Sequence, residues 1–190
     1  ISITPPELVA LQPTSYRGYG HSGQQVQYDL TVFNNTGANE SFDLNLSGAT
    51  WSTRLSAINT GMIDHNSYKT INNFLTVQIP SNANPCDWDD VTVRVTSSTA
   101  HPGTHQKNAT FTTTVASGRL AYVTNSGACT SHDGWCNRST LSVINAGPEG
   151  YCELKRILVG EDPEGVVFDE NTHRIFVANE DDPSLSIINA

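Results

Sequence analysis

Apolar and polar residues alternate with a period of two through most of the first 117 residues. Successive side chains of a β-strand point to opposite faces of the sheet, so each alternating run predicts a strand with one buried and one exposed face. The clearest runs lie at 26–32, 42–46, 75–79, 91–95 and 109–115. No segment shows the helical period of about 3.6 residues. The pattern therefore predicts antiparallel sheets packed face to face.

Segments rich in Asn, Gly and Pro separate these runs, at 34–39, 80–85 and 100–105. Such residues favour turns. They divide the region into seven predicted strands, at 2–12, 24–34, 40–47, 50–56, 68–79, 90–98 and 108–116. Seven short strands predict an immunoglobulin-like sandwich. The Cys…Trp…Cys pattern of antibody domains is absent, and Trp51 is a predicted core residue.

Residues 20–116 resemble the bacterial and archaeal surface domains related to the NEW3 domain of α-galactosidases. The shared pattern is a Gly-x-x-Val-x-Tyr-x-Leu-x-Val strand, an Asn-rich turn, a Phe-x-Leu strand, a tryptophan and a Val-x-Ile-Pro strand end. The matching residues are Gly23, Val26, Tyr28, Leu30, Val32, Asn34, Phe42, Leu44, Trp51, Val77, Ile79 and Pro80. The resemblance implies a sandwich that serves as a spacer in a large exported protein, and it implies no activity.

Residues 118–190 contain an internal repeat, which indicates an architecture built from stacked units. TLSVINA at 140–146 returns as SLSIINA at 184–190, and RLAYVTN at 119–125 returns as RIFVAN at 174–179. The second spacing is longer because an insertion, SGACTSHDGWCNRS, follows Asn125. The segment therefore holds one whole repeat and the latter part of the one before it.

The repeat resembles the YVTN family of β-propeller repeats. YVTN stands at 122–125, and VGEDPEGV at 159–166 fits the companion signature Val-Gly-x-x-Pro-x-Gly-Val. The resemblance implies incomplete propeller blades, because a closed propeller has at least about four blades and this segment holds fewer than two. We therefore expect an all-β chain, with a seven-stranded immunoglobulin-like sandwich at 1–117 followed by partial YVTN-type blades at 118–190.

The chain is acidic, with 10 Lys and Arg against 19 Asp and Glu and a formal net charge of −9. This balance disfavours nucleic acid and anionic membrane surfaces as partners. No apolar run reaches the roughly 18 residues that predict a membrane span. Because the first residue is Ile1 rather than Met, we expect a processed or trimmed N-terminus.

The four cysteines include no CxxC pair, which disfavours zinc or thioredoxin-like chemistry. An even number in a polar β-protein favours disulfides and an oxidising compartment, with free buried thiols as the alternative. Cys129 and Cys136 share the insertion and are predicted to pair. If seven strands alternate in direction, Cys86 lies at the pole from which the second domain starts, and it pairs with Cys152. The competing arrangement joins Cys86 and Cys152 to the two cysteines of the insertion.

Clustered carboxylates suggest one metal site. Asp87, Asp89 and Asp90 in CDWDD offer oxygen ligands of the kind that Ca²⁺ prefers, with a solvated acidic turn as the alternative. The acidic turn at 180–182 has the same two interpretations. No other cofactor is expected.

Five Asn-x-Ser/Thr sequons permit N-glycosylation, at Asn34, Asn39, Asn45, Asn108 and Asn137. Catalytic motifs are absent: the chain has no Gly-x-Ser-x-Gly elbow, phosphate-binding loop or metalloprotease motif. His101 and His105 lie in a Pro-Gly loop without a third ligand, so they are predicted to be exposed loop residues. The sequence therefore predicts a protein that is not an enzyme.

These observations favour an extracellular structural or adhesive protein of a cell surface, sheath or filament. Its predicted partners are further repeats of a longer chain or neighbouring copies of itself, which strand exchange could join. The segment 1–11 is a possible donor strand, or simply the first strand of the sandwich. The alternatives are a module that binds a glycan, peptide or metal, and an accessory region of a secreted hydrolase.

Overall fold

The computed structural model describes residues 8–99, 105–127, 139–147 and 150–189. It contains fourteen β-strands and, in these ranges, no helix, which confirms the all-β prediction. The chain divides into two compact units, Ile1–Val115 and Ala116–Ala190. No helix that could cross a membrane occurs in the described part of the chain.

Within residues 8–99 and 105–115, eight strands form the first unit. They are β1 (Val9–Gln12), β2 (Ser15–Gly20), β3 (Gln25–Asn34), β4 (Phe42–Ser47), β5 (Ser52–Leu55), β6 (Ser67–Gln78), β7 (Trp88–Ser97) and β8 (Gln106–Val115). One sheet has the order β1-β3-β6-β5, and the other has the order β2-β8-β7-β4. Apart from the strand that is divided between the two sheets, this is the ABED and CFG arrangement of an immunoglobulin constant-type sandwich.

The prediction of seven strands was wrong, because two strands, β1 and β2, precede β3 where the sequence predicted a single first strand. Strand β1 pairs antiparallel with β3 in one sheet, whereas β2 pairs parallel with β8 in the other. Pro13 separates them, and proline lacks the N–H that a continuing ladder needs. Residues 1–7 of the possible donor segment lie outside the described residues, and Val9–Gln12 pairs within its own sandwich.

Both sheets contribute large side chains to the sandwich core. Phe42, Phe74 and Phe111 are fully buried, and the rings of Phe74 and Phe111 lie 5.2 Å apart. The hydroxyl of Tyr28 on β3 lies 2.6 Å from Thr113 Oγ1 on β8 and so links the two sheets. Burial raises the pKa of Tyr28 to about 12. Trp51 is partly buried and packs against this core.

Among the described residues, six strands form the second unit. They are β9 (Leu120–Asn125), β10 (Thr140–Gly147), β11 (Gly150–Leu158), β12 (Pro163–Asp169), β13 (Arg174–Asn179) and β14 (Ser184–Asn189). The first sheet of this unit has the order β11-β10-β9 and the second has the order β12-β13-β14. Neighbouring strands are antiparallel in both sheets.

The two sheets of the second unit share one apolar core. Leu141 of the first sheet clusters with Ile175 and Val177 of the second, and all three are almost fully buried. The rings of Tyr122 and Phe168 lie 5.7 Å apart across the same cluster. The unit is therefore a pair of face-to-face three-stranded sheets.

Candidate interaction surface

The second sheet of the second unit presents an apolar surface on the side away from this core. We call it the outer apolar face and define it by Val167, Phe176, Ala178, Leu185 and Ile187. Val167, Phe176 and Ile187 lie side by side in one cross-strand row, and Ala178 and Leu185 lie in the next. The fractional exposures of Val167, Leu185 and Ile187 are 61%, 56% and 56%.

The sequence of these strands explains why both faces are apolar. Strand β12 contains the run Gly165-Val-Val-Phe168, and β13 contains the run Ile175-Phe-Val-Ala178. Such near-continuous apolar runs are typical of strands that are covered on both faces. Here one face packs against the first sheet while the other is exposed.

The repeat in the sequence is also a repeat in strand pairing. In the first sheet, Tyr122 pairs with Val143 and Asn125 pairs with Thr140. In the second sheet, the equivalent positions pair in the same register: Phe176 with Ile187, Val177 with Ser186, Ala178 with Leu185, and Asn179 with Ser184. The two sheets therefore share one β-hairpin plan, despite the longer loop after Asn125 in the first sheet.

One side-chain hydrogen-bond set occurs in both hairpins. Asn125 Nδ2 donates to Ser142 Oγ at 2.9 Å and to Thr140 Oγ1 at 3.2 Å. In the second sheet, Asn179 Nδ2 donates to Ser186 Oγ at 3.0 Å and to the Ser184 hydroxyl at 2.9 Å. The final asparagine of the YVTN-like strand thus fixes the register to the next strand.

Strand β14 lies at the edge of its sheet. In the first sheet, the equivalent strand β10 has β11 on that side. An edge strand presents backbone N–H and C=O groups that another strand can pair with. The outer apolar face and the β14 edge therefore form one continuous candidate surface for docking a further sheet.

A separate acidic group lies at the end of the second sheet where β12 begins and β13 ends. Ligand oxygens of Asp162, Glu164 and Glu180 all lie within 4.8 Å of one another. A hydrogen bond with the Glu164 carboxyl and the charge of that group raise the pKa of Glu180. The Glu180 carboxyl therefore holds a proton more readily than an isolated glutamate does.

The predicted calcium ligands do not act as one group. Asp89 is buried and accepts hydrogen bonds from Thr50 N–H at 2.9 Å and Trp51 N–H at 3.0 Å. Asp87 instead accepts from the N–H of residue 84, and Asp90 accepts from the hydroxyl of residue 112. The calcium site stays a prediction, and these separate hydrogen bonds do not favour it. The alternative interpretation, a solvated acidic turn, is wrong for Asp89 because its side chain is buried.

Disulfide bonds are present at the two cysteines in the described part of the chain. Cys86 and Cys152 are both disulfide-bonded, and no described cysteine is free. Cys129 and Cys136 lie outside the described residues, so both predicted connectivities stay predictions. His101 also lies outside them.

The five sequons have different environments. Asn34 is fully buried, and its Nδ2 donates to the carbonyl of Ala38 at 2.8 Å and of Ile63 at 2.9 Å. A glycan on that nitrogen is incompatible with this arrangement, so Asn34 has a structural role. The exposed sequon residues are Asn39, Asn45 and Asn108. Asn137 lies outside the described residues.

No protein-family model matches the chain, and no curated protein matches it. Among solved structures, PapD-like domain 7 of human CEP192 is 13% identical and covers 60% of this chain and 89% of its own, with a TM-score of 0.42. The periplasmic chaperone SfaE is 15% identical and covers 95% of this chain and 97% of its own, with a TM-score of 0.37. WR4, an MSP family member of C. elegans, is 12% identical and covers 58% and 99%, with a TM-score of 0.37. At these identities no residue role passes from those proteins to this chain.

Proposed function

We propose that this protein is an extracellular structural or adhesive component of a cell surface, sheath or filament. The outer apolar face of β12–β14 carries the proposal, because contiguous exposed apolar surface marks interaction sites. An exposed apolar sheet face next to an open strand edge suits the addition of another sheet. This geometry supports assembly as the protein's role.

The disulfides support the extracellular part of the proposal. Cys86 and Cys152 are both oxidised, and structural disulfides persist chiefly in oxidising compartments. An assembly protein outside the cell also benefits from covalent links, because they restrict the unfolded chain and raise stability by about 2–4 kcal/mol each.

The two family resemblances belong to the same proposal. The sandwich would be a NEW3-like spacer, and β9–β14 would be partial blades of a YVTN-type propeller. Face-to-face antiparallel sheets with one repeated hairpin register support the second assignment. Propeller blades also pack face to face around their channel.

Binding of a small ligand is less well supported. A pocket of about 170 Å³ in the first unit is lined by Pro13, Tyr16, Gln27, Tyr28 and Asp29. Ligand sites are usually about 300–1,000 Å³ in volume. The pocket is therefore small for an organic ligand, and assembly remains the better proposal.

Labelling of intact source cells with an antibody to the sandwich tests the proposal. We expect labelling without permeabilisation, and recovery of the native protein in a particulate fraction that denaturant dissolves. A matched antibody to a cytosolic protein controls for lysis. Recovery of the protein only from the cytosol, as a reduced monomer, would overturn the proposal.

A further inference from the structure

We infer that a further repeat of the same sequence pattern, in the same polypeptide, packs on the outer apolar face of β12–β14. This inference deepens the proposed function, on which it rests, by naming the partner of the face. The two sheets of the second unit show what such a face contacts when it is covered.

Repeat-equivalent residues have opposite burial in the two sheets. Leu141 and Val143 of the first sheet are 0% and 1% exposed. Their equivalents in the second sheet are Leu185 and Ile187, which are exposed. The outer apolar face is therefore the same face that the first sheet turns toward the shared core through Leu141.

The covered face of the first sheet shows which surface a partner of the outer apolar face must have. The first sheet packs through Tyr122, Leu141 and Ile157 against an apolar surface of the second sheet. That surface consists of Val166, Phe168, Ile175, Val177 and Ile188. Since Phe176 and Leu185 repeat the positions of Tyr122 and Leu141, a sheet with the pattern of β12–β14 is the complementary partner.

The opposite face of the first sheet is a poor alternative partner. It carries Ser142, which bonds to Glu153 Oε1 at 2.5 Å, and Arg156, whose guanidinium lies 2.9 Å from the same carboxylate. Covering an ion pair with apolar residues costs desolvation energy. Stacking a second copy through this face is thus disfavoured relative to adding a further repeat.

The sheet order indicates how the chain would continue. The first sheet has β11 beside β10, and β14 is the repeat equivalent of β10. A strand equivalent to β11 would therefore pair along β14 before the next sheet begins. A repeat in the same polypeptide also has a high effective concentration at the face.

Extension of the chain by one period tests the inference. A second copy of residues 147–190 fused after Ala190 supplies a β11-like strand and a β12–β14-like sheet in phase with the 44-residue repeat. We expect backbone amides of β14 to exchange with solvent at least about tenfold more slowly in the extended chain than in the original.

Two variants make the result specific. In the extended chain, the double substitution Leu185→Ser and Ile187→Ser should abolish the added protection, while in the original chain it should leave exchange of β13 amides within about twofold. As a second control, replacing the appended equivalents of Ile175 and Val177 by Asp should also abolish the gain.

These experiments distinguish a further repeat from a second copy of the chain as the partner of the outer apolar face. Unchanged β14 exchange in the folded extended chain would overturn the inference. A dimer of the original chain that dissociates on Leu185→Ser and Ile187→Ser would overturn it too, because a second copy would then be the occupant. Neither result touches the surface location of the protein, which the cell labelling tests separately.

Discussion

The side chain of Asn179 requires a glycine at position 160. A Cβ at Gly160 would lie 2.5 Å from Asn179 Nδ2 and 2.6 Å from Asp182 Oδ2, which is closer than real Cβ contacts. The same amide fixes the β13–β14 register through Ser184 and Ser186. Gly160, the first glycine of the VGEDPEGV signature, therefore has a steric role in the β13–β14 hairpin.

Substitution of Gly160→Ala should destabilise the second unit by about 1–3 kcal/mol, because the methyl group displaces the Asn179 amide. Gly165→Ala is the matched control, since its Cβ would meet the Ala178 Cβ at an ordinary 3.7 Å. Denaturant unfolding of both variants checks this expectation. Equal stability of the two variants would contradict the steric role.

Asp89→Ala should destabilise the sandwich by about 2 kcal/mol, because it removes a buried charged acceptor from three part-buried hydrogen bonds with Thr50 and Trp51. Asp87→Ala loses one exposed hydrogen bond and should cost less than about 1 kcal/mol. Thermal unfolding with and without Ca²⁺ distinguishes a structural hydrogen-bond acceptor at Asp89 from a metal site. A melting temperature that Ca²⁺ raises in the parent but not in Asp87→Ala would favour the metal site instead.

Among the elements, strands with strong alternation could be predicted from sequence, and β2 could not. Its sequence contains Gly18 and Gly20, and glycine is depleted from strands. The structure shows why glycine stands at position 18: a Cβ there would lie 2.7 Å from the Tyr28 hydroxyl. The parallel pairing with β8 is a tertiary contact that local sequence does not encode.

The outer apolar face of β12–β14 was also only partly predictable, because its exposure depends on tertiary packing. The repeat and the apolar positions of β12–β14 are visible in the sequence, and the repeat's hairpin register follows them. Both faces of these strands are apolar, so the sequence does not reveal which face the first sheet covers. The buried position of Asp89 was also missed, because an acidic run normally indicates a solvated turn.

The acidic group of Asp162, Glu164 and Glu180 makes stability dependent on pH. The pKa of Glu180 is raised by the hydrogen bond and charge of Glu164, so the folded state binds a proton more tightly than the unfolded state does. Stability should therefore fall as pH rises through the pKa of Glu180. Glu180→Gln should raise the melting temperature at pH 7, and its advantage over the parent should shrink in acid.

Glu170→Gln serves as the control, because Glu170 is exposed and lies outside the acidic group. It should leave the melting temperature close to that of the parent across the same pH range. A Glu180→Gln variant that is less stable than the parent at pH 7 would show that the carboxylate makes a favourable contact instead.

At the scale of the whole molecule, the connectivity of the four cysteines is a testable prediction. We expect one bond between Cys129 and Cys136 and another between Cys86 and Cys152. Peptide mapping under non-reducing conditions should recover a short looped peptide from the insertion and one cross-linked pair. Two cross-linked peptides that each contain one insertion cysteine would establish the competing pairing.

The shared hairpin register has a consequence for how such a chain tolerates insertions and deletions. Gain of a whole 44-residue block such as 147–190, which equals the spacing between the β10 and β14 sequences and contains both partners of the Asn179–Ser186 contact, leaves each Asn–Ser contact intact. Gain of a single residue within a strand would instead turn its side chains to the opposite face. We therefore expect duplication of whole units to be tolerated. We expect small insertions to be tolerated only in connections such as 126–139, which is already longer than its equivalent 180–183 in the second hairpin.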